Sequence, residues 1–354
     1  MPITSLNIDS FLEKAQNHPV FDVRSPGEYS HAHIPGAVSL PLFSDEERKV
    51  IGTAYKQQNR ETAIKIGLDY FGPKMRSMVE TVEQYTESLS ENRSNFTPAP
   101  KPVVLVHCWR GGMRSGAVAW LLDLYGFEVY LLQGGYKAFR NKALDTFRKD
   151  YALKIIGGYT GSAKTQILQK LSEKGYQVVD LELLASHRGS ALGGINLPPQ
   201  PSQEMFENLL ATALNKLNAQ ADIFLEDESQ RIGDLNIPGE FYKKMFSSEL
   251  LFLEVPFEER LDFLVAEYGI MPREALSNAI TRIRKRLGGL EEKNAQKHLA
   301  EGNIKECFRI LLRYYDKFYK KDLDHKIEVK TPALLIKTDT IDINFNTDII
   351  INKL

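Results

Sequence analysis

The sequence predicts an α/β chain of two domains, each built on a parallel sheet, with a helical part closing the second. Three observations carry this. Short apolar runs at 103–106 and 223–225, and the segment 153–156, apolar but for Lys154, lie between polar segments, as buried parallel strands do. Each of the first two leads into a glycine-containing loop and then into helical periodicity. A length of 354 residues corresponds to about two domains.

Composition narrows the class. With 43% hydrophobic and 26% charged residues, and no apolar run long enough for a bilayer, a soluble globular protein is expected. Residues 1–16 carry scattered charges and no apolar core of signal type, so cytoplasmic residence is expected, with no membrane partner. Two cysteines exclude a disulfide framework and argue against a zinc site built on thiolates. A net charge of −1 gives no global basic field, so any RNA site must be a local patch.

In chain order, 20–23 reads as a short strand running into the turn Ser25-Pro26-Gly27-Glu28, and Ile34-Pro35-Gly36-Ala37 as the entry to another strand. His31 and His33 lack a cysteine or clustered carboxylate beside them, so hydrogen bonding is expected of them rather than metal binding. Segments 44–67 and 72–90 are helical in pattern, and 91–102, with its prolines, reads as a surface loop. Strand 103–106 then meets His107-Cys108-Trp109-Arg110-Gly111-Gly112-Met113-Arg114 and a helix over 115–125, with Ala117, Val118, Trp120, Leu121, Leu122 and Leu124 suggesting one buried face.

Cys108 thus stands between a strand end and a helix start. Successive N–H groups there can point into the loop, and the helix dipole favours an anion. Gly111 and Gly112 let the backbone curl, while Arg110 and Arg114 add fixed charge. Such a cradle lowers a thiol pKa and holds an oxyanion beside it, which marks Cys108 as a nucleophile or a carrier of one more atom bonded to sulfur.

The second domain opens with strand 153–156 and Gly158-Tyr159-Thr160-Gly161-Ser162-Ala163-Lys164-Thr165 ahead of a helix, close to the P-loop pattern. Gly158, Gly161, Ser162, Ala163, Lys164 and Thr165 are the phosphate-binding candidates. Ala163 departs from the glycine the pattern wants. Thr165 and Asp227, the latter at the end of strand 223–225, are the candidate ligands of a magnesium ion. Beyond Pro256 the chain is helical and locally basic, with Arg309, Arg313, Lys317, Lys320 and Lys321 interleaved with Tyr314, Tyr315, Phe318 and Tyr319, although Glu306 and Asp316 interrupt the run. Cys307 falls in an apolar helical pattern and reads as core. Segment 333–336 is a last strand.

Asp22-Val23-Arg24-Ser25-Pro26-Gly27-Glu28-Tyr29, His33-Ile34-Pro35-Gly36-Ala37, the Cys108 loop and Gly134-Gly135-Tyr136 resemble the motifs of a rhodanese-like domain, here residues 1–141. The P-loop domain, residues 150–354, adds Asp180-Leu181-Glu182, His187-Arg188-Gly189-Ser190, Gln200-Pro201-Ser202-Gln203 and Glu226 to Gly233. In this order and spacing the whole chain resembles the bacterial tRNA 2-selenouridine synthases. That resemblance implies a transferase converting wobble-position (U34) 2-thiouridine of tRNA to 2-selenouridine through an S-geranyl-2-thiouridine. Selenophosphate and geranyl diphosphate are the implied co-substrates, with an S-selanylcysteine on Cys108. Among the polar loops, His187, Arg188, Gln203 and Arg231 are the substrate-binding candidates.

Two alternatives stay open at this stage. His107, Cys108 and Arg114 have the spacing of a cysteine-dependent phosphatase, but residues 109–113 supply no acid for a leaving oxygen. A nucleotide-dependent RNA-binding or regulatory protein would use the cysteine loop only for docking. Whether the P-loop takes a nucleotide or the prenyl diphosphate is likewise open.

Overall fold

The computed structural model describes residues 3–88, 102–190 and 192–354. The chain separates into two compact units, 1–145 and 146–354. Except for Pro102, the surface loop expected over 91–102 lies outside the described residues.

The first unit is a five-stranded sheet in the order β1-β5-β4-β2-β3, with every pair parallel. Its strands are β1 (Thr4–Leu6), β2 (Val20–Asp22), β3 (Val38–Ser39), β4 (Val103–His107) and β5 (Glu128–Leu132). The apolar run of β4 is buried on both faces because it is the central strand and helices cover the sheet. Helices α1 (Ile8–Lys14), α2 (Pro26–His31), α3 (Asp45–Gln57), α4 (Arg60–Phe71), α5 (Met75–Ser88), α6 (Met113–Tyr125) and α7 (Gly135–Thr146) complete the unit. The helical stretch read over 44–67 breaks at Asn59, whose side chain accepts from Thr62 N at 2.7 Å and starts α4 as a new helix. On α6 the buried stripe is Val118, Leu121 and Leu122, spaced by three and four, whereas Trp120 is 51% and Leu124 68% exposed. Those two residues, expected inside, fall on the opposite face of the 3.6-residue turn.

The second unit carries a parallel sheet in the order β12-β11-β6-β8-β7. Here β6 (Leu153–Gly158), β7 (Gln177–Val179) and β8 (Ile223–Glu226) precede a small antiparallel hairpin of β9 (Arg231–Ile232) and β10 (Leu235–Asn236). Strands β11 (Glu249–Glu254) and β12 (Ala333–Lys337) close the order. Around the sheet run α8 (Lys164–Glu173), α9 (Leu181–Ala185), α10 (Gln203–Asn215), α11 (Gly239–Ser247) and α12 (Phe257–Tyr268). The helical part follows as α13 (Arg273–Arg282), α14 (Arg284–Leu287), α15 (Gly289–Ala300) and α16 (Ile304–Glu328), and α17 (Ile343–Ile351) ends the fold.

The helical part has its own core, in which Leu276, Leu299, Phe308 and Leu311 are buried with Cys307. Burial pushes the Cys307 thiol up to about 11, which keeps it protonated and inert. The α/β class with two parallel sheets is therefore as the sequence predicts. Among the described residues no helix is long and apolar enough to cross a membrane.

Candidate functional site

In the first unit the loop after β4 closes around the sulfur of Cys108, a residue only 3% exposed. The Ser115 hydroxyl lies 3.2 Å from Sγ, and the backbone N–H groups of Ser115, Arg110 and Gly112 also donate to it. Burial alone would raise this thiol, but those donors outweigh it and hold the pKa below the ordinary value. Stabilisation of the thiolate thus comes from oriented neutral dipoles.

The loop's shape is enforced from below. Tyr136 N donates to Cys108 O at 2.8 Å and Lys137 N to Trp109 O at 3.0 Å, so the start of α7 supports the loop backbone. Gly111 and Gly135 have φ of 66° and 59°. A Cβ on Gly135 would lie 2.4 Å from Cys108 O and 2.5 Å from Gly111 N, so backbone meets backbone where no side chain fits.

Beside the loop, Arg24 is 1% exposed, bonds Asp22 through Nη2 at 2.6 Å, donates to Ala32 O at 2.7 Å and lies 3.9 Å over the Tyr136 ring. His107 is fully buried, 3.8 Å from Asp22, and burial holds its pKa low. The segment 22–24 is therefore a buried platform rather than a reacting group. His33 bonds Tyr29 O at 2.9 Å and stacks on its ring, a hydrogen-bonding role as read from the sequence.

The two loop arginines differ. Arg114 donates to Glu28 at 2.7 Å, so its charge is already matched. Arg110 is exposed and makes no side-chain hydrogen bond or ion pair among the described residues.

In the second unit the loop between β6 and α8 adopts the P-loop course. Ala163 sits at φ 55° and ψ 33°, the left-handed conformation that explains why the pattern wants glycine there. Gly158 and Gly161 also have positive φ, and a Cβ on Gly161 would meet Arg260 O at 2.9 Å. The Ser162 hydroxyl is turned inward, donating to Tyr159 O at 2.7 Å. Lys164 Nζ rests 3.3 Å from Gly158 O and 5.2 Å over the Tyr319 ring. Gly161, Ser162, Ala163 and Lys164, with Thr165, Glu182 and Arg188, line a cavity of about 170 Å³.

Carboxylates gather beside the lysine. Thr165 Oγ1 donates to Glu182 at 2.9 Å. Burial first, and then the neighbouring Glu182, push Glu228 up to about 8. Asp227 is paired with Lys326, while the carboxylate bonded to Thr165 is Glu182. The motifs containing Glu182 and Glu228 do not fix which face of a strand end each side chain takes.

Thr165 and Glu182 offer the hard oxygen donors that a magnesium ion takes alongside phosphate oxygens and water. Among the described residues no group of three or more His, Cys, Asp or Glu is placed to hold a metal ion by itself.

The remaining candidates divide. Arg188 lines the P-loop cavity and bonds the Tyr268 hydroxyl. His187 and Arg231 line a second cavity of about 600 Å³, although Arg231 is tied to Gly233 O and Asp234 within its own hairpin. Gln203 does not reach either cavity. It bonds Asn236 through both backbone atoms at 2.8 Å and holds the β9–β10 hairpin to α10. A third cavity, of about 450 Å³, is walled by Tyr242, Tyr315, Phe318 and Tyr319, and shares Tyr319 and Ser190 with the P-loop cavity.

Comparison with known proteins agrees with this arrangement. Residues 8–142 match the rhodanese-like domain and residues 151–333 the tRNA 2-selenouridine synthase AAA domain. A tRNA 2-selenouridine synthase of Shewanella sediminis is 36% identical over 343 residues, covering 87% of this chain and 89% of its own. That of Shewanella denitrificans is 34% identical, covering 92% of each chain. The one of Hydrogenovibrio crunogenus is 34% identical, covering 88% of this chain and 91% of its own.

Proposed function

The chain belongs to the tRNA 2-selenouridine synthase family, and on that premise we propose how its two units divide the replacement of sulfur by selenium at the wobble uridine of tRNA. In the first step the thiouridine sulfur attacks the C1 carbon of geranyl diphosphate. The C–O bond breaks, diphosphate leaves with the electron pair, and the base loses its N3 proton. Gly158 to Thr165 hold the diphosphate, with Lys164 turning from Gly158 O onto the developing charge. A diphosphate leaving group needs no ordered hydrolytic water. A magnesium ion held by Thr165 and Glu182 would supply Lewis-acid neutralisation of that charge. Alkylation prepares the base, because a thiol leaves C2 more readily than a thiocarbonyl sulfur does.

In the second step Cys108 thiolate attacks the selenium of selenophosphate. An S–Se bond forms and the Se–P bond breaks. Its electron pair stays on phosphorus, so the balance requires a phosphorus product at the phosphite level. The selenium of the S-selanylcysteine then attacks C2, geranylthiol leaves, and external thiols reduce the S–Se bond, returning Cys108 to the thiol and leaving selenium on the base. Arg110, exposed and unmatched by a carboxylate, is the cation for the donor's oxyanion.

The observation that carries this reading is the convergence of three N–H groups and the Ser115 hydroxyl on Cys108 Sγ. Intact-protein mass spectrometry after incubation with selenophosphate, read together with phosphorus NMR of the products, tests it. Wild type should gain one selenium atom and release phosphite, and Cys108→Ser should do neither. Phosphate as the sole phosphorus product, with no adduct on the protein, would mean that selenium passes to the base without a covalent carrier.

A further inference from the structure

Along α16 the sequence alternates cations with acids, which by itself describes an ordinary solvated helix. The structure sorts the acids into those already matched and those left over. Asp316 takes a bidentate contact from Arg260 at 2.8 Å, and Arg260 in turn donates to the P-loop carbonyl of Thr160. Glu306 is bonded by Arg309 and Asp322 lies 3.3 Å from Lys326. What remains toward solvent is a row of cations. Arg313, Lys317, Lys320 and Lys321 are exposed and make no hydrogen bond or ion pair among the described residues. The leftover acids, Asp324 and Glu328, follow this row toward the end of the helix, where they share a smaller cavity with Lys317, Lys320 and Lys321 but do not line the groove described next.

The row borders a groove of about 740 Å³, which also holds Arg286 and Tyr314. Phe318, 48% exposed although aromatic, belongs both to this groove and to the aromatic cavity of about 450 Å³, which in turn shares Tyr319 with the P-loop cavity. A basic track with an exposed ring at its inner lip is the combination that binds a single nucleic-acid strand: cations follow the phosphates and the ring stacks a base.

We propose that the face of α16 bearing Arg313, Lys317 and Lys321 binds the single-stranded anticodon loop of the tRNA, with Phe318 stacking a base at the entrance to the aromatic cavity. This deepens the reading of the chain as a tRNA-modifying enzyme and rests on it. The target base leaves its strand at Phe318 and enters between Tyr315 and Tyr319, toward the cavity where the diphosphate would sit. A duplex would offer its charges to the cations but no base to the ring.

Fluorescence anisotropy with the full chain and a labelled tRNA carrying 2-thiouridine in its anticodon tests the proposal across a salt series. Lys317→Ala/Lys321→Ala should weaken binding about tenfold and lower the slope of log affinity against log salt by about 1.4, two phosphates at about 0.7 each. Phe318→Ala should weaken it about tenfold with the slope unchanged, and Phe318→Tyr should restore it. Lys56→Ala/Lys65→Ala, which removes the same charge from exposed positions of the first unit, should bind as wild type. An unlabelled anticodon stem-loop should compete and a plain RNA duplex should not. If wild type binds and the α16 variants match it in affinity and slope, or if the duplex competes equally, the surface assignment is wrong while the family reading stands. If wild type neither binds nor modifies tRNA, the functional reading fails and this inference falls with it.

Discussion

Two loops in this chain occupy the same place in their sheets and are built for opposite tasks. The Cys108 loop follows β4, the middle strand of its sheet, and the Ala163 loop follows β6, the middle strand of its own; each runs straight into a helix. Around Cys108 the anion belongs to the protein. The chain stabilises it with neutral N–H and O–H donors, and it matches Arg114 with Glu28. Around Ala163, on the function proposed above, the anion arrives from outside. There the chain keeps Lys164 within reach of Glu182 and Glu228, groups whose charge a bound phosphate would rearrange. A strand-to-helix loop is thus a general device for negative charge, and the side chains around it decide whether that charge is resident or delivered.

The backbones differ as well, and that difference can be broken by mutation. Gly135→Ala adds a Cβ 2.4 Å from Cys108 O in a left-handed residue, against backbone that cannot yield. It should cost about 3 kcal/mol and abolish thiol reactivity through loss of the loop shape, as read by thermal unfolding and alkylation of Cys108.

Ser115→Ala comes next in size. It removes the hydroxyl at 3.2 Å from the sulfur, so the thiol pKa moves up toward its ordinary value. The rate of alkylation by iodoacetamide rises with pH as thiolate forms. In the variant that rise shifts to higher pH, and the rate near neutrality falls by about threefold to tenfold while the plateau at high pH is kept. An unshifted pH profile would mean that the backbone donors alone set the thiolate.

The smallest effect has the opposite sign. Ala163→Gly relieves a left-handed alanine at the cost of a floppier unfolded chain, for a net stabilisation of about 0.5 kcal/mol. Calorimetry should find it neutral to slightly stabilising. A clear loss of stability would mean that the Ala163 methyl, buried in the loop, packs more than its backbone strains.

Much of this was legible in the sequence because apolar run, glycine loop and helix leave a local signature. The strands behind Cys108 and Lys164 are of that kind. What escaped depends on contacts far apart in the chain. Strand β11 runs into β12 and β6 in register, yet its sequence alone does not distinguish it from a buried helical segment. At the end of β8 three consecutive acids look alike, but Asp227 goes to Lys326, 99 residues away, while Glu228 shares the side of Glu182. The polar loop around Gln203 gives no sign of which partner its side chain takes. Its amide completes the backbone hydrogen bonding of a short hairpin. On α16 only the folded structure shows which acids are consumed by Arg260, Arg309 and Lys326.

The division of labour between the two loops is tested most directly by mass spectrometry of nucleosides. A 2-thiouridine-containing tRNA is incubated with geranyl diphosphate and selenophosphate in the presence of wild type, Cys108→Ser or Lys164→Ala. The account predicts 2-selenouridine from wild type, arrest at the S-geranylated base with Cys108→Ser, and unmodified 2-thiouridine with Lys164→Ala. Normal geranylation by Lys164→Ala, or selenouridine from Cys108→Ser, would contradict it.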